Sequence, residues 1–179
     1  MTSSSYPWSA KAADSSSRAS APVTQEKAEL LTPSRSMDGR VAIVTGGATG
    51  LGRATALQFA QRSVHVAINY VDLPGRDVAA QALLTETALK ACGVNVYCDR
   101  CDVREHDDVQ RFVTEVKERL GGVHYLVNNA GVTHDGALWR LTPEAWQEVM
   151  ETNVTGAFNC IKAAAGIMRE QRFGKIVNI

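Results

Sequence analysis

Eight consecutive residues, Thr45-Gly46-Gly47-Ala48-Thr49-Gly50-Leu51-Gly52, have the composition of an anion cradle. Gly46, Gly50 and Gly52 follow a G-x-x-x-G-x-G spacing between an apolar run and a helical pattern. In such a turn one glycine allows the tight bend. Another lets the backbone approach a pyrophosphate, and a third allows close helix–strand packing. Free amides at the start of the helix then face the anion. A plain strand-to-helix turn would also use glycines, but three of them spaced this way after a buried strand favour nucleotide binding. The contact candidates are Thr45, Gly46, Thr49, Gly50, Leu51 and Gly52.

Other reactive residue types are present without a supporting pattern. Cys98-Asp99-Arg100-Cys101 spells C-x-x-C, but a zinc site wants a second pair or histidines at matching spacing. Cys92, Cys160 and four scattered histidines give none, so no metal is expected and the thiols read as ordinary half-buried side chains. There is no G-x-S-x-G elbow, so a serine hydrolase has no support.

The glycine turn must be held by the elements around it. Val41-Ala42-Ile43-Val44-Thr45 is a continuous apolar run, as in a strand buried on both faces of a parallel sheet. A helix follows from about Leu51 to Arg62, then a strand at Val64–Tyr70 broken by Asp72-Leu73-Pro74-Gly75. The pattern continues with a helix from Asp77 to Ala91 and a third strand at Val94–Cys98. Val109, Phe112, Val113, Val116 and Leu120 recur at helical spacing, and Gly121-Gly122 closes that helix. Tyr125–Asn128 is a fourth strand. Thr142 then Pro143 read as N-cap and first helical residue, opening a helical region to about Glu170, and Lys175–Ile179 is a fifth strand. Such alternation means βαβ units with right-handed crossovers. The expected fold is α/β: a doubly wound parallel sheet, Rossmann-like, with its first five strands in the order 3-2-1-4-5.

Further candidates stand at strand ends and in a helix. Asp102 is by itself an ordinary turn or cap residue, and Asn128 and Asn129 could satisfy loop backbone groups. Asn153 is unfavourable inside a helix by propensity. Taken together and in order, however, these residues and the glycine turn resemble the short-chain dehydrogenase/reductase family. Thr45-Gly46-x-x-x-Gly50-x-Gly52 looks like its cofactor motif. Asp102-Val103 looks like its adenine-contacting Asp and neighbour. Asn128-Asn129-Ala130-Gly131 looks like the NNAG motif that steadies the sheet and borders the cofactor. Asn153, within Thr152-Asn153-Val154-Thr155-Gly156, looks like the helix Asn of the Asn-Ser-Tyr-Lys catalytic set, placed at a kink with its carbonyl side on a water of a proton relay. The resemblance covers residues 38–179. Gly131-Val132-Thr133 and Phe173-Gly174-Lys175-Ile176-Val177-Asn178-Ile179 are most similar to 3-oxoacyl-carrier-protein reductases and their relatives.

The resemblance implies a nicotinamide cofactor and hydride transfer to or from a carbonyl carbon. An acid at the end of the second strand would bind the adenosine ribose of NAD and repel a 2′-phosphate. Tyr70 occupies that position, and no acid stands at Ile68, Asn69 or Tyr70. Asp72 lies nearby but in a turn, where Asp is common. Many NADP-using relatives carry a base just before the second glycine, where this chain has Thr49, so Arg53 or Arg76 would have to supply the charge. The balance favours NADP over NAD.

The family's acid/base is a tyrosine whose pKa is lowered by a neighbouring lysine, with a serine just past the fifth strand on the carbonyl oxygen. The chain has no Tyr-x-x-x-Lys: Tyr6, Tyr70, Tyr97 and Tyr125 are followed four residues later by Ala10, Pro74, Cys101 and Asn129. It therefore reads as an N-terminal fragment of a reductase, inactive alone. Ser63 is a lesser departure, standing where the family has a glycine after the first helix.

Composition sets the outer limits. The 179 residues are 45% hydrophobic and 21% charged, with 19 basic and 19 acidic side chains. Zero net charge argues against a general grip on nucleic acid. No apolar run approaches the roughly 18 residues of a membrane span, and the cysteine usage suits a reducing, cytoplasmic compartment. Residues 1–37 are Ser- and Ala-rich with few large apolar residues, which reads as a disordered extension ahead of an incomplete cofactor-binding domain at 38–179. Their acid-poor composition also fits an organellar transit peptide, though a plain extension is favoured. Two alternatives to an oxidoreductase, homo-oligomeric when complete, stay open: a non-catalytic nucleotide-binding module, and an interaction protein using the helix from Pro143 to Glu170.

Overall fold

The computed structural model describes residues 37–179, so the expectations for the N-terminal extension lie, but for Met37, outside the described residues. Five strands form one parallel sheet: β1 (Val41–Val44), β2 (His65–Tyr70), β3 (Val96–Arg100), β4 (Tyr125–Asn128) and β5 (Lys175–Asn178). Their spatial order is β3-β2-β1-β4-β5, as expected from the alternation of elements. Five helices connect them: α1 (Gly50–Ala60), α2 (Val78–Lys90), α3 (His106–Leu120), α4 (Pro143–Met150) and α5 (Gly156–Glu170).

The central strands are apolar because both faces of the sheet are covered. Side chains alternate along each strand. Val41, Ile43, Ala67 and Leu126 pack with Val109, Phe112, Val113 and Val116 of α3 and with Cys160, Ala163 and Ala164 of α5. Val44, Val66, Ile68 and Val127 turn the other way, onto Ala56 and Ala60 of α1 and Leu89 of α2. β1 lies between β2 and β4, paired in register from Val41↔His65 to Val44↔Ile68 and from Ala42↔Tyr125 to Val44↔Val127.

Local signals set the helix ends. Asp77 caps α2 by accepting from the Ala80 amide at 2.9 Å, and Thr142 caps α4 by accepting from Ala145 at 3.2 Å. Gly121 ends α3 in the left-handed region, φ 90°. Ser63, standing where the family it resembles usually has glycine, is also left-handed, at φ 59°.

Two expectations need correction. The third strand runs over Val96–Arg100 and not Val94–Cys98. The turn after α2, with Gly93 at φ 79°, extends through Asn95, whose amide donates to His65 Nδ1 at 3.1 Å. Pairing with β2 begins only at Val66↔Val96 and continues to Tyr70↔Arg100. The polar Asp99 and Arg100 are tolerated because β3 is an edge strand. The long helix from Pro143 is likewise not continuous. A π-helical turn over Glu151–Thr155 separates α4 from α5, with the Gly156 amide bonding back to the Glu151 carbonyl. Asn153 lies within that turn, where a widened helix often marks a functional site.

Candidate functional site

The site begins where β1 and β4 end side by side. The Thr45 hydroxyl is buried and accepts from the amides of Asn129 and Ala130, each at 2.9 Å. Asn129 Nδ2 returns a bond to the Thr45 carbonyl at 2.8 Å. These bonds lash the first residue of the glycine turn to the Asn-Asn-Ala-Gly segment. On the other side, Asn69 at the end of β2 accepts from the Gly46 amide at 3.1 Å and donates to the Cys101 carbonyl at 2.7 Å. One buried amide side chain thus joins three strand ends. Ala48 is tied to α2 by the Thr85 hydroxyl at 2.8 Å.

The glycines take distinct roles. A Cβ on Gly52 would collide with the Gly46 carbonyl and lie 2.5 Å from Asn129 Nδ2, so this position sets how closely α1 approaches the sheet. Gly50 is at φ 54°, and the space where its Cβ would stand is open. That opening faces the start of α1, whose N-cap residue Thr49 gives no side-chain cap. The positive end of the helix therefore lacks a side-chain cap, an arrangement that suits an anion.

A cavity of about 350 Å³ opens here. Gly46, Thr49, Gly50, Leu51 and Gly52 form one wall, and Asn69, Tyr70, Leu73 and Arg76 form the end beyond β2. Asp102, Val103 and Arg104 form a second wall, and Asn129, Ala130, Gly131 and Val132 a third, with Glu148 and Thr152 behind them. The structure therefore gathers the residues expected from sequence except Thr45, Arg53, Asn128 and Asn153, which do not line the cavity. Thr45 lies behind the wall and holds it. Asn153 is also behind, next to the cavity-lining Thr152. Its side chain pairs with the backbone of Val132, accepting at 2.9 Å and donating at 3.0 Å. The side-chain carbonyl of Asn153 is thereby occupied by the Val132 amide, and Gly131 leaves room for it: a Cβ there would lie 3.2 Å from Asn153 Oδ1.

Charges in the cavity are mostly paired. Arg104 holds the Asp102 carboxylate with both Nε and Nη2, at 2.6 Å for the shorter contact. This bond keeps the Asp102 pKa below its ordinary value. Asp72 is drawn to Arg100 at 2.8 Å and does not line the cavity. Arg76 lines it and makes no ion pair among the described residues. His134 and Glu148 meet at 2.7 Å across the loop that follows β4. Burial pushes the thiols of Cys98, Cys101 and Cys160 up to about 12, so they are protonated and unreactive at neutral pH. Among the described residues no His, Cys, Asp and Glu side chains gather in the threes a metal ion needs.

Sequence reasoning missed Asn69, Arg104 and Asn159. Asn69 and Asn159 had one available signal, a polar residue inside an otherwise apolar strand or helix face. Arg104 had none beyond lying two residues after Asp102.

Comparison with known proteins gives a consistent result. The sequence matches the short chain dehydrogenase family model over residues 40–179. It is 40% identical over 138 residues to the 3-oxoacyl-[acyl-carrier-protein] reductase of Staphylococcus aureus, covering 77% of this chain and 54% of the relative. It is 39% identical over 140 residues to the acetoacetyl-CoA reductase of Paracoccus denitrificans, covering 78% and 54%. The structure is similar to that of NAD+-bound xylitol dehydrogenase, with a TM-score of 0.71 and 29% identity over 79% of this chain and 53% of the other. The chain spans about half the length of the curated relatives it matches.

Proposed function

Because the chain belongs to the short-chain dehydrogenase family, we propose that residues 40–179 hold the nicotinamide cofactor of an oxidoreductase that reduces a carbonyl of the 3-oxoacyl type. The observation that carries this reading is the opening at Gly50. Its φ of 54°, the empty space in front of it and the uncapped start of α1 suit a pyrophosphate. When bound, the cofactor would supply hydride at nicotinamide C4.

The residues of this chain then divide the work. Gly46, Thr49, Gly50, Leu51 and Gly52 bind the phosphates, Tyr70 borders the adenosine ribose, and Asp102 and Val103 flank the adenine. Asn129, Ala130 and Gly131 carry the wall toward the nicotinamide, with Thr45 fixing them from behind. Asn153 anchors the π turn to Val132 and is the one member of the family's catalytic set present. The Ser and Tyr-x-x-x-Lys are not among these 179 residues, so the chain is expected to bind cofactor without turnover.

NADP is the cofactor we favour over NAD. Asp72, the acid nearest the end of β2, is paired with Arg100 and does not line the cavity, whereas Arg76 does. That charge distribution welcomes a 2′-phosphate. The exposed Trp146 of α4, Val154 of the π turn and Phe158 of α5 support self-association as a homo-oligomer. With no helix among the described residues long and apolar enough to cross a membrane, a cytoplasmic setting suits the four free cysteines. Titration of the purified chain with NADPH and NADH, followed by an assay with acetoacetyl thioesters, tests the reading. Binding that prefers NADPH, without turnover, supports it. Binding of neither nucleotide sinks it.

A further inference from the structure

A polar side chain buried in a helix costs stability unless its hydrogen bonds are made. Asn159 is such a residue, 5% exposed in the first turn of α5 on the stripe that includes Gly156, Cys160 and Ala163. Its Nδ2 donates to two main-chain carbonyls at once, Val103 at 3.0 Å and Arg104 at 3.1 Å. One turn earlier, Gly156 presses against the same loop, since a Cβ there would lie 2.6 Å from Val103 Cγ2. Three residues before that, Asn153 holds Val132 through its paired bonds. Residues 153, 156 and 159 thus grip the loop after β4 and the loop after β3, which are two different walls of the cavity. Asn159 itself does not line the cavity, so its effect there passes through the loop it holds.

We infer that Asn159 is a positioning residue that fixes the Val103–Arg104 wall for the adenosine end of a nucleotide and ties it, through Gly156 and Asn153, to the wall at Val132. The physical reason is the pairing of one donor group with two carbonyls. Without it, both carbonyls turn toward water, and the Asp102–Glu105 turn that presents Val103 loses its only side-chain hydrogen bonds to α5 among the described residues. The inference rests on the proposed function only in naming a nucleotide as the ligand.

The test compares the 179-residue chain with Asn159→Ala and Asn159→Leu, well below their melting temperatures. Asn159→Leu keeps roughly the side-chain shape and removes the donor without adding a charge, so it decides the matter should the alanine variant not fold. Amide hydrogen exchange is read at Arg104 and Glu105, whose amides bond to Asp102 Oδ1 and to the Asp102 carbonyl. Affinity is measured for adenosine 2′,5′-bisphosphate and for NADPH. Expected are faster exchange at these two amides, unchanged exchange at Val44 and Leu126, and about tenfold weaker binding of both nucleotides. Unchanged exchange in a folded variant would overturn the inference, as would faster exchange with unaltered affinity. Failure of the unsubstituted chain to bind either nucleotide would count against the proposed function instead, and the exchange rates would then decide the positioning role alone.

Discussion

Gly50 and Gly52 lie two residues apart and answer to different constraints. At Gly52 a Cβ would strike the Gly46 carbonyl, so Gly52→Ala should disturb the turn itself and lower the melting temperature. At Gly50 nothing in the protein stands in the way, but φ is 54° and the open space is where an anion would sit. A β-branched residue there bears ~1–2 kcal/mol of backbone strain and fills the site. Gly50→Val should therefore keep a cooperative melt while weakening NADPH binding by more than ~100-fold, roughly 2.7 kcal/mol. Isothermal titration of the folded variant checks this, and retained affinity would disprove the reading of the turn. At this scale the sequence was legible at the spaced glycines and at Asn153, residue types rare in their settings, whereas Asn69 and Asn159 carried a similar signal and were missed. The partners of Asp102 were not legible. The bond with Arg104 depends on how the loop after β3 folds back, and spacing alone does not show that.

The elements carry two further expectations. His124 stands immediately before β4, and its Nδ1 accepts from the Val41 amide at 3.1 Å beside the first paired residues of β1 and β4. Burial, and then the nearby Arg40, hold its pKa below the ordinary value. A depressed pKa means the folded state resists a proton that the unfolded state takes. Stability from this group is full above the unfolded value near 6.5, falls as the pH drops through the window beneath it, and levels off below the folded pKa. Melting temperatures measured from pH 8 to pH 5 should show that decline, and it should flatten in His124→Gln. An unchanged slope in the variant would exclude His124 as its source. At the other end of the sheet, β5 pairs with β4 from Tyr125↔Lys175 to Asn128↔Asn178. No strand covers its other edge among the described residues, and Val177 and Ile179 are 53% and 66% exposed. An apolar open edge invites intermolecular pairing. Sedimentation should show association that rises with concentration and is reduced by Val177→Lys. A monodisperse monomer at every concentration would show that the edge is harmless. The order of elements followed from hydrophobic periodicity, because central strands buried on both faces read as unbroken apolar runs. The start of β3 did not, because Val94 and Val96 are equally apolar and only pairing with β2 chooses between them. The π turn also left no periodic trace, because neither α4 nor the turn buries a residue, so no buried stripe precedes α5 against which a shift of phase could be read.

At the scale of the molecule, the cavity lies where the strand order reverses, between the C-terminal ends of β1 and β4. Open parallel sheets bind ligands at such a switch point because the flanking loops diverge there. Here the diverging loops are held by buried or half-buried side-chain amides: Asn69 between β1, β2 and the loop after β3, Asn129 between β1 and β4, and Asn159 from α5. Bracing of this kind would hold the proposed site in place before a ligand arrives. The most direct test is calorimetric titration of the purified 179-residue chain with NADPH, run beside NADH. The account predicts saturable one-to-one binding with NADPH preferred, lost in Gly50→Val. A folded chain that binds neither nucleotide would contradict it.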